Sequence, residues 1–506
     1  MGKNEINIFD TTLRDGAQAT EQNVGIFERK AIGEGLIELG VNVIEAGFAS
    51  ASEVDFQTIK YLAKKSSHTN TAIASLSRAV NKEIDKSWEA VKSAKNPIIH
   101  TFISTSDIHM REKLNMNRTQ VYQSAIDSVR YAKQLMNGKG KVEFSLEDAT
   151  RTDKEFMAKI VDGIIAAGAD IINLPDTVGY AQRGEIKSMI EYLKIKVPKI
   201  NPVQISVHCH NDLGQATANS LEGILFGANQ VECTINGVGE RAGNSAMEEI
   251  VASIITRPDI YGDYFTSIDT RKFGSLSRIV SEFFNMKVQP NKAIVGNHAF
   301  KHMSGIHQDG VIKNHATYEI MKPEDFGWSD NNRFEITQSS GRAGYKKVLS
   351  NLGFNLTDDE LIQIYTLGQE HITKYNSIDE RILACMLTDK IRKLEKKYTL
   401  ENFQIVTGSN LIPTANVTLK NGHKTSRSVQ NREGPISSLY HAIDDAVGCE
   451  LEIDDFCIRS LGKGKSAVGE TILTVKNKDR IVYGWGLDND IVTSAAKAYM
   501  SALNKL

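Results

Sequence analysis

Apolar residues in the first half of the chain fall into short β-branched runs. Each run is followed by a longer segment whose apolar positions recur every three to four residues. The runs span 6–12, 41–48, 71–78, 97–104, 141–148, 170–177, 203–210 and 230–237. Helical patterns between them include 28–40, 120–136, 155–168 and 219–228. Runs of this length and residue type predict strands, and the longer period predicts helices. Several helical segments end in glycine just ahead of the next strand, a stop signal that suits a left-handed C-terminal residue. Eight strand–helix units in roughly 255 residues match a (β/α)8 TIM barrel. A doubly wound open sheet is the alternative, but no GxGxxG turn follows the first strand.

From about residue 260 to 390 the pattern is mainly helical, with loops rich in Gly, Asn and His. Strand patterns return after about residue 400, with helical stretches at 436–448 and 490–506. No low-complexity segment or short repeat is visible. The expected fold class is α/β, with a barrel over 1–270, a helical linker region over 271–395 and an α+β domain over 396–506.

Composition narrows the partners. Sixty basic and 62 acidic residues leave a formal charge of −2, so nothing predicts binding to nucleic acid or an anionic membrane. The five cysteines are scattered and form no CxxC pair, which argues against a disulfide framework or a Cys-rich zinc module. No apolar signal core opens the chain and no run is long enough to span a bilayer, so the cytoplasm is the expected location.

Barrel enzymes work at the C-terminal ends of their strands. That rule selects Arg14 and Asp15, Glu45, His100, Glu143, Asp176 and Thr177, His208 and His210, and the loop containing Asn236, Glu240, Arg241 and Asn244. Side chains two apart on a strand share a face, so His208 and His210 point one way and Cys209 the other. The two imidazoles then either bind one metal ion, with Asp15 adding an oxygen, or sit as hydrogen-bonded core residues. Mixed N/O ligation suits Mg, Mn, Fe or Zn. Glu143 is a costly charge inside a barrel unless it is paired or used. Glu147 and Asp148, ending the same strand, read as a solvated loop or as support for the site. The His-rich stretch 298–310 lies outside the barrel and reads by itself as structural or solvated.

Several motifs go further. FDTTLRDGAQ (9–18), SVHCHNDLG (206–214) and NGVGERAGN (236–244) resemble the signatures of the acyl-CoA condensing enzymes, which include 2-isopropylmalate, homocitrate and citramalate synthases. IVGNHAFKHMSGIHQDGVIKN (294–314), TYEIMKPEDFG (317–327), GPISSLYHAI (434–443) and GWGLDNDIVTSAAKAYMSALN (484–504) are most similar to the 2-isopropylmalate synthase family. The resemblance implies a metal-dependent Claisen-type condensation of acetyl-CoA with 2-oxoisovalerate, followed by thioester hydrolysis. Citramalate or homocitrate synthase, acting on another 2-oxo acid, is the nearest alternative. A related metal-dependent lyase or carboxyltransferase barrel is the next.

Carried over by position, the resemblance places a divalent Mn, Mg or Zn ion on Asp15, His208 and His210, with Asn244 in or near its shell. Arg14, Glu143 and Thr177 fall on substrate-binding and catalytic positions. His100 and Ser145 are further substrate-facing positions, Ser145 being small enough to leave room for a branched side chain. His307 matches a base that the linker of one subunit brings to its partner's barrel. A homodimer with exchanged linkers, a regulatory C-terminal domain sensing leucine and a monovalent cation as activator belong to the same expectation. Ala17 departs from the family's usual Glu. A linker tyrosine near the base in some relatives has no assigned counterpart here, although Tyr318 is present.

Overall fold

The computed structural model describes residues 4–20, 24–328, 336–376, 378–462, 464, 467–477 and 480–506. Eight parallel strands close into a barrel: β1 (Asn7–Asp10), β2 (Val43–Phe48), β3 (Ala72–Arg78), β4 (Pro97–Ser104), β5 (Lys141–Glu147), β6 (Ile171–Asp176), β7 (Gln204–Cys209) and β8 (Gln230–Cys233). Each lies within one of the eight expected runs. β8 pairs with β1 and completes the ring.

The helices between the strands follow the apolar period. Arg118–Met136 starts at a capping box formed by Asn117 and Gln120 and buries Val121, Ala125, Val129 and Ala132 on one face. Lys154–Ala167 stops at Gly168 and Ile26–Leu39 at Gly40, both left-handed. Along each barrel strand, alternate side chains point inward. Deep inside, Phe9, Val43, Ala72, Ala74, Ile98 and Ile171 form an apolar cluster. Above it the inward positions turn polar, at Glu45, His100, Ser145, Asn173, His208 and Glu232. Those residues are all buried.

The described residues form two compact units. One holds the chain up to Phe300 together with the segment from Ile320, and the other holds Lys301–Glu319 together with the C-terminal part. In the second unit, β9 (Thr399–Gly408), β10 (Leu411–Asn421) and β11 (Lys424–Asn431) form an antiparallel sheet followed by the helix Pro435–Val447. β12 (Glu452–Leu461), β13 (Val468–Asn477) and β14 (Arg480–Asp488) form another, followed by the helix Ile491–Leu503. The domain is therefore two βββα halves, a repeat hidden in the sequence because packing fixes topology without fixing residue identity. Tyr440 and Tyr499 stack between the two helices with ring centroids 4.1 Å apart, and the Tyr499 hydroxyl donates to Asp444 at 2.5 Å. Helices of the preceding region share a core with the second half, through Ile382, Leu383 and Leu387 against Ile472, Tyr483 and Trp485.

Gly40 has φ +90°, and a Cβ there would sit 3.0 Å from the Ser267 carbonyl oxygen. Gly40→Ala is expected to destabilise the barrel by about 1–2 kcal/mol, because the left-handed backbone disfavours a side chain and the neighbour is backbone. Urea denaturation followed by circular dichroism checks this.

Candidate active site

The strand ends bring together residues that lie far apart in the chain. After β1 the backbone makes a wide helical turn, Thr12–Gly16. It presents Arg14 and Asp15 toward the barrel axis. β7 delivers His208 and His210 on one face, while Cys209 is fully buried in the surrounding apolar core. The three facing atoms form a small triangle. His208 Nε2 lies 3.2 Å from His210 Nε2, and Asp15 Oδ2 lies 3.5 Å and 3.7 Å from these nitrogens.

Two ligand atoms each about 2.1 Å from one ion lie roughly 3–3.5 Å apart, so the triangle fits a divalent cation. Asp15 Oδ1, His210 Nδ1 and Asn244 Oδ1 are buried with no hydrogen-bond partner. Such groups in a native interior call for an explanation, and a bound ion supplies one for Asp15 and Asn244. Both histidines are suited to ligation. Glu232 Oε2 lies 2.8 Å from His208 Nδ1, which fixes the ring and leaves Nε2 free. Burial and the neighbouring His208 push His210 down to about 3, so it is neutral. Burial alone would raise Asp15, but Arg14 and the two histidines outweigh it and hold it below the ordinary carboxylate range.

The loop after β8 closes one side. A Cβ on Gly243 would fall 2.1 Å from the Gly237 carbonyl oxygen, and Gly243 has φ +91°. This tight crossing brings Asn244 beside His210, with which it forms an isolated bridge. Arg241 pins the loop through Asp212 at 2.7 and 2.8 Å.

Beside the triangle, Glu45 ties the site together. Its Oε2 accepts from Arg14 Nε at 2.6 Å and from Thr11 Oγ1 at 2.8 Å, and its Oε1 lies 2.7 Å from His100 Nδ1. Burial would raise this acid, yet Arg14 and His100 overcome it and hold it far below its usual range. Arg14 Nη1 reaches Asp15 Oδ2 at 2.8 Å. His100 Nε2 lies 2.6 Å from Ser145 Oγ, to which Asn173 Nδ2 donates at 2.7 Å.

Arg14, Asp15, His100, Ser145, Asn173, His208 and His210 border a cavity of about 340 Å³ that also meets Thr177, Phe102, Pro175 and Lys113. The Thr177 oxygen accepts from the Asp148 N–H at 2.9 Å, so its own proton is free for a ligand. Among the anticipated residues, Arg14, Asp15, His100, Ser145, Thr177, His208 and His210 all border this cavity, and Asn244 adjoins it.

Other anticipated residues lie elsewhere. Glu143 is fully buried and does not border the cavity, because it sits one inward step deeper than Ser145. It accepts from Gln230 at 2.8 Å, and burial pushes it up to about 8. Glu147, two residues nearer the strand end, does border the cavity and is held by Lys113 at 2.6 and 2.8 Å. Asp148 is fully buried rather than solvated, bonded by Arg151 at 2.8 and 3.0 Å and by Ser106. His307 belongs to the second unit, on the helix Gly305–Lys313, where it is exposed. Its ring lies 4.2 Å from that of Tyr318, which gives the unassigned tyrosine a place beside it.

Glu45, Asn173, Glu147 and Glu232 are the residues whose importance the sequence understated. Each occupies an inward parity position, so the burial cost that drew attention to Glu143 applied equally to Glu45 and Glu232.

Comparison with known proteins finds relatives along the whole chain. Residues 5–280 match the HMGL-like family, residues 294–374 the homocitrate synthase post-HMGL domain-like family, and residues 377–506 the LeuA allosteric (dimerisation) domain. A 2-isopropylmalate synthase from Syntrophus aciditrophicus (strain SB) is 43% identical over 99% of this chain and 96% of its own. One from Dictyoglomus turgidum (strain DSM 6724 / Z-1310) is 41% identical over 100% of this chain and 99% of its own.

Glu232→Gln should leave the fold intact and weaken Mn2+ binding by roughly 10–100-fold, since the group that orients His208 loses its charge. Calorimetric titration with Mn2+ measures this. Unchanged affinity would mean that Glu232 does not govern the ligand.

Proposed function

We propose, for a chain that belongs to the 2-isopropylmalate synthase family, a metal-dependent condensation of acetyl-CoA with 2-oxoisovalerate, then thioester hydrolysis to 2-isopropylmalate and CoA. The observation that carries this reading is the Asp15–His208–His210 triangle with Arg14 bonded to its carboxylate. A divalent Mn, Mg or Zn ion held there, with Asn244 beside it, would supply Lewis-acid polarisation of the ketone.

The chain's own groups do the rest. Thr177 donates its free hydroxyl proton to the oxo-acid carboxylate. Arg14, held by Glu45 and Asp15, keeps a fixed guanidinium where negative charge develops on the ketone oxygen as the carbon–carbon bond forms. A donor already in place needs no reorganisation at that moment. His307 takes the proton from the acetyl methyl group, with the Tyr318 ring tilted against its own and the linker exchanged within a homodimer. Glu143, which burial raises above the ordinary carboxylate range, lies beneath the cavity beside His100 and Glu232 and orients or assists rather than meeting substrate. Ser145 and His100 form part of the wall that receives the branched side chain.

The C-terminal domain extends the reading to feedback inhibition by leucine, with a monovalent cation as activator, in a cytoplasmic enzyme of leucine biosynthesis. Among the described residues, no helix is long and apolar enough to cross a membrane. The three-part division at 1–270, 271–395 and 396–506 belongs to the same proposal.

Purified Arg14→Ala is expected to lose at least about 100-fold in CoA release with 2-oxoisovalerate while keeping its circular dichroism spectrum. A rate near wild type would sink the assignment. For His307→Ala, turnover should fall sharply with little change in the KM for the oxo acid; retained turnover would move the base elsewhere. A panel of 2-oxoisovalerate, pyruvate and 2-oxoglutarate, each with and without leucine, separates the reading from citramalate and homocitrate synthesis.

A further inference from the structure

The first residue of every barrel strand, from Asn7 on β1 to Gln230 on β8, lines a cavity of about 680 Å³ at the mouth opposite the catalytic one. That size lies within the range of small-ligand sites. Among the described residues, none lines both cavities. Gln230 closes the inner end and is fully buried. Its Nε2 donates to Glu143 Oε1 at 2.8 Å and to Ser206 Oγ at 3.1 Å, and its Oε1 accepts from Gln204 Nε2 at 2.9 Å. Val43, Ala72, Ile98 and Ile171 complete an apolar floor around it. The floor is fixed by the fold, so any recognition falls to the rim.

That rim is basic. Lys92, Lys95, Lys139 and Lys141 stand around it, and no acid lines the cavity among the described residues. Lys92 caps the helix Asn81–Val91 and pairs with Glu89 at 2.6 Å, so its place is explained without a ligand. The other three have no carboxylate partner among the described residues. Lys95 meets Asn70 Oδ1 at 3.1 Å, Lys141 meets Gln204 Oε1 at a long 3.4 Å, and Lys139 bonds to nothing. Like charges around one concave opening repel each other and raise the potential inside it. The N-terminal face of a barrel ordinarily serves stability, and three uncompensated cations there work against it. Carboxamides fill the spaces between them. Among the described residues, the Asn7 carboxamide, Asn70 Nδ2 and Asn96 Oδ1 make no hydrogen bond. We propose that this mouth binds a small hydroxylated phosphate ester. The three lysines take the phosphate, whose oxygens accept charge-assisted bonds from several ammonium groups at once. The carboxamides take the hydroxyls, since both kinds of group donate and accept. The site is separate from the condensation reaction and does not depend on its assignment.

Calorimetric titration of the full-length protein with ribose 5-phosphate tests this. One site per chain with a Kd below about 1 mM is expected in dilute buffer. Affinity should fall several-fold as salt rises to about 0.3 M, because screening weakens exposed charges. The double variant Lys139→Ala, Lys141→Ala should bind at least about tenfold more weakly, the effect of losing charge-assisted bonds. Both side chains are exposed, so its circular dichroism spectrum should match wild type. Inorganic phosphate should bind about tenfold more weakly than the ester, since it leaves the carboxamides unused. Arg14→Ala, which alters the catalytic cavity, should bind ribose 5-phosphate as wild type does. No saturable binding, wild-type affinity in the double lysine variant, or weakened binding in Arg14→Ala overturns the site. Equal affinity for inorganic phosphate and the ester overturns the ligand class.

Discussion

One buried carboxylate organises the upper barrel. Glu45 is wholly removed from solvent, and a lone charge there would be expensive. It is retained because three donors converge on it: Arg14, Thr11 and His100. Each of those groups then inherits a fixed orientation. Arg14 is aimed at Asp15, Thr11 anchors the turn after β1, and His100 is turned toward Ser145. Removing the acid would leave Arg14 Nε and His100 Nδ1 buried without the partner they share. A half-satisfied buried network is worse than none, so these residues depend on one another as a set.

The sequence made the barrel legible because two periods alternate cleanly. All eight runs, from 6–12 to 230–237, hold a strand, and strand parity placed His208 and His210 on one face with Cys209 on the other. Depth along a strand is not carried by parity. Glu143, Ser145 and Glu147 share a face, yet only the latter two reach the cavity, because where the cavity floor lies depends on how strands stagger around the ring. Similarly, Asp148 reads as a solvated loop acid until β4 and its following turn bring Ser106 against it and Arg151 folds back. The βββα duplication stayed hidden because its two halves share a pattern of contacts, not of letters.

The second unit shows a division of labour of a different kind. The two halves of the C-terminal domain meet through the stacked Tyr440 and Tyr499, and among the described residues it is the second half whose core is shared with the helices that precede the domain. Arg381 reinforces that union by reaching Asp455 on β12 and Thr474 on β13. The halves are alike in topology and unlike in neighbours.

The triangle of Asp15, His208 and His210 has a consequence for assembly of the ring. Asp15 follows the first strand and the histidines end the seventh, and they are neighbours only because β8 has closed onto β1. Any ligand that grips all three therefore binds the closed ring and not the open chain. By mass action such a ligand stabilises closure in proportion to the logarithm of its concentration. The site and the seam of the barrel meet at one point, so supply of such an ion would also set what fraction of chains has the ring shut.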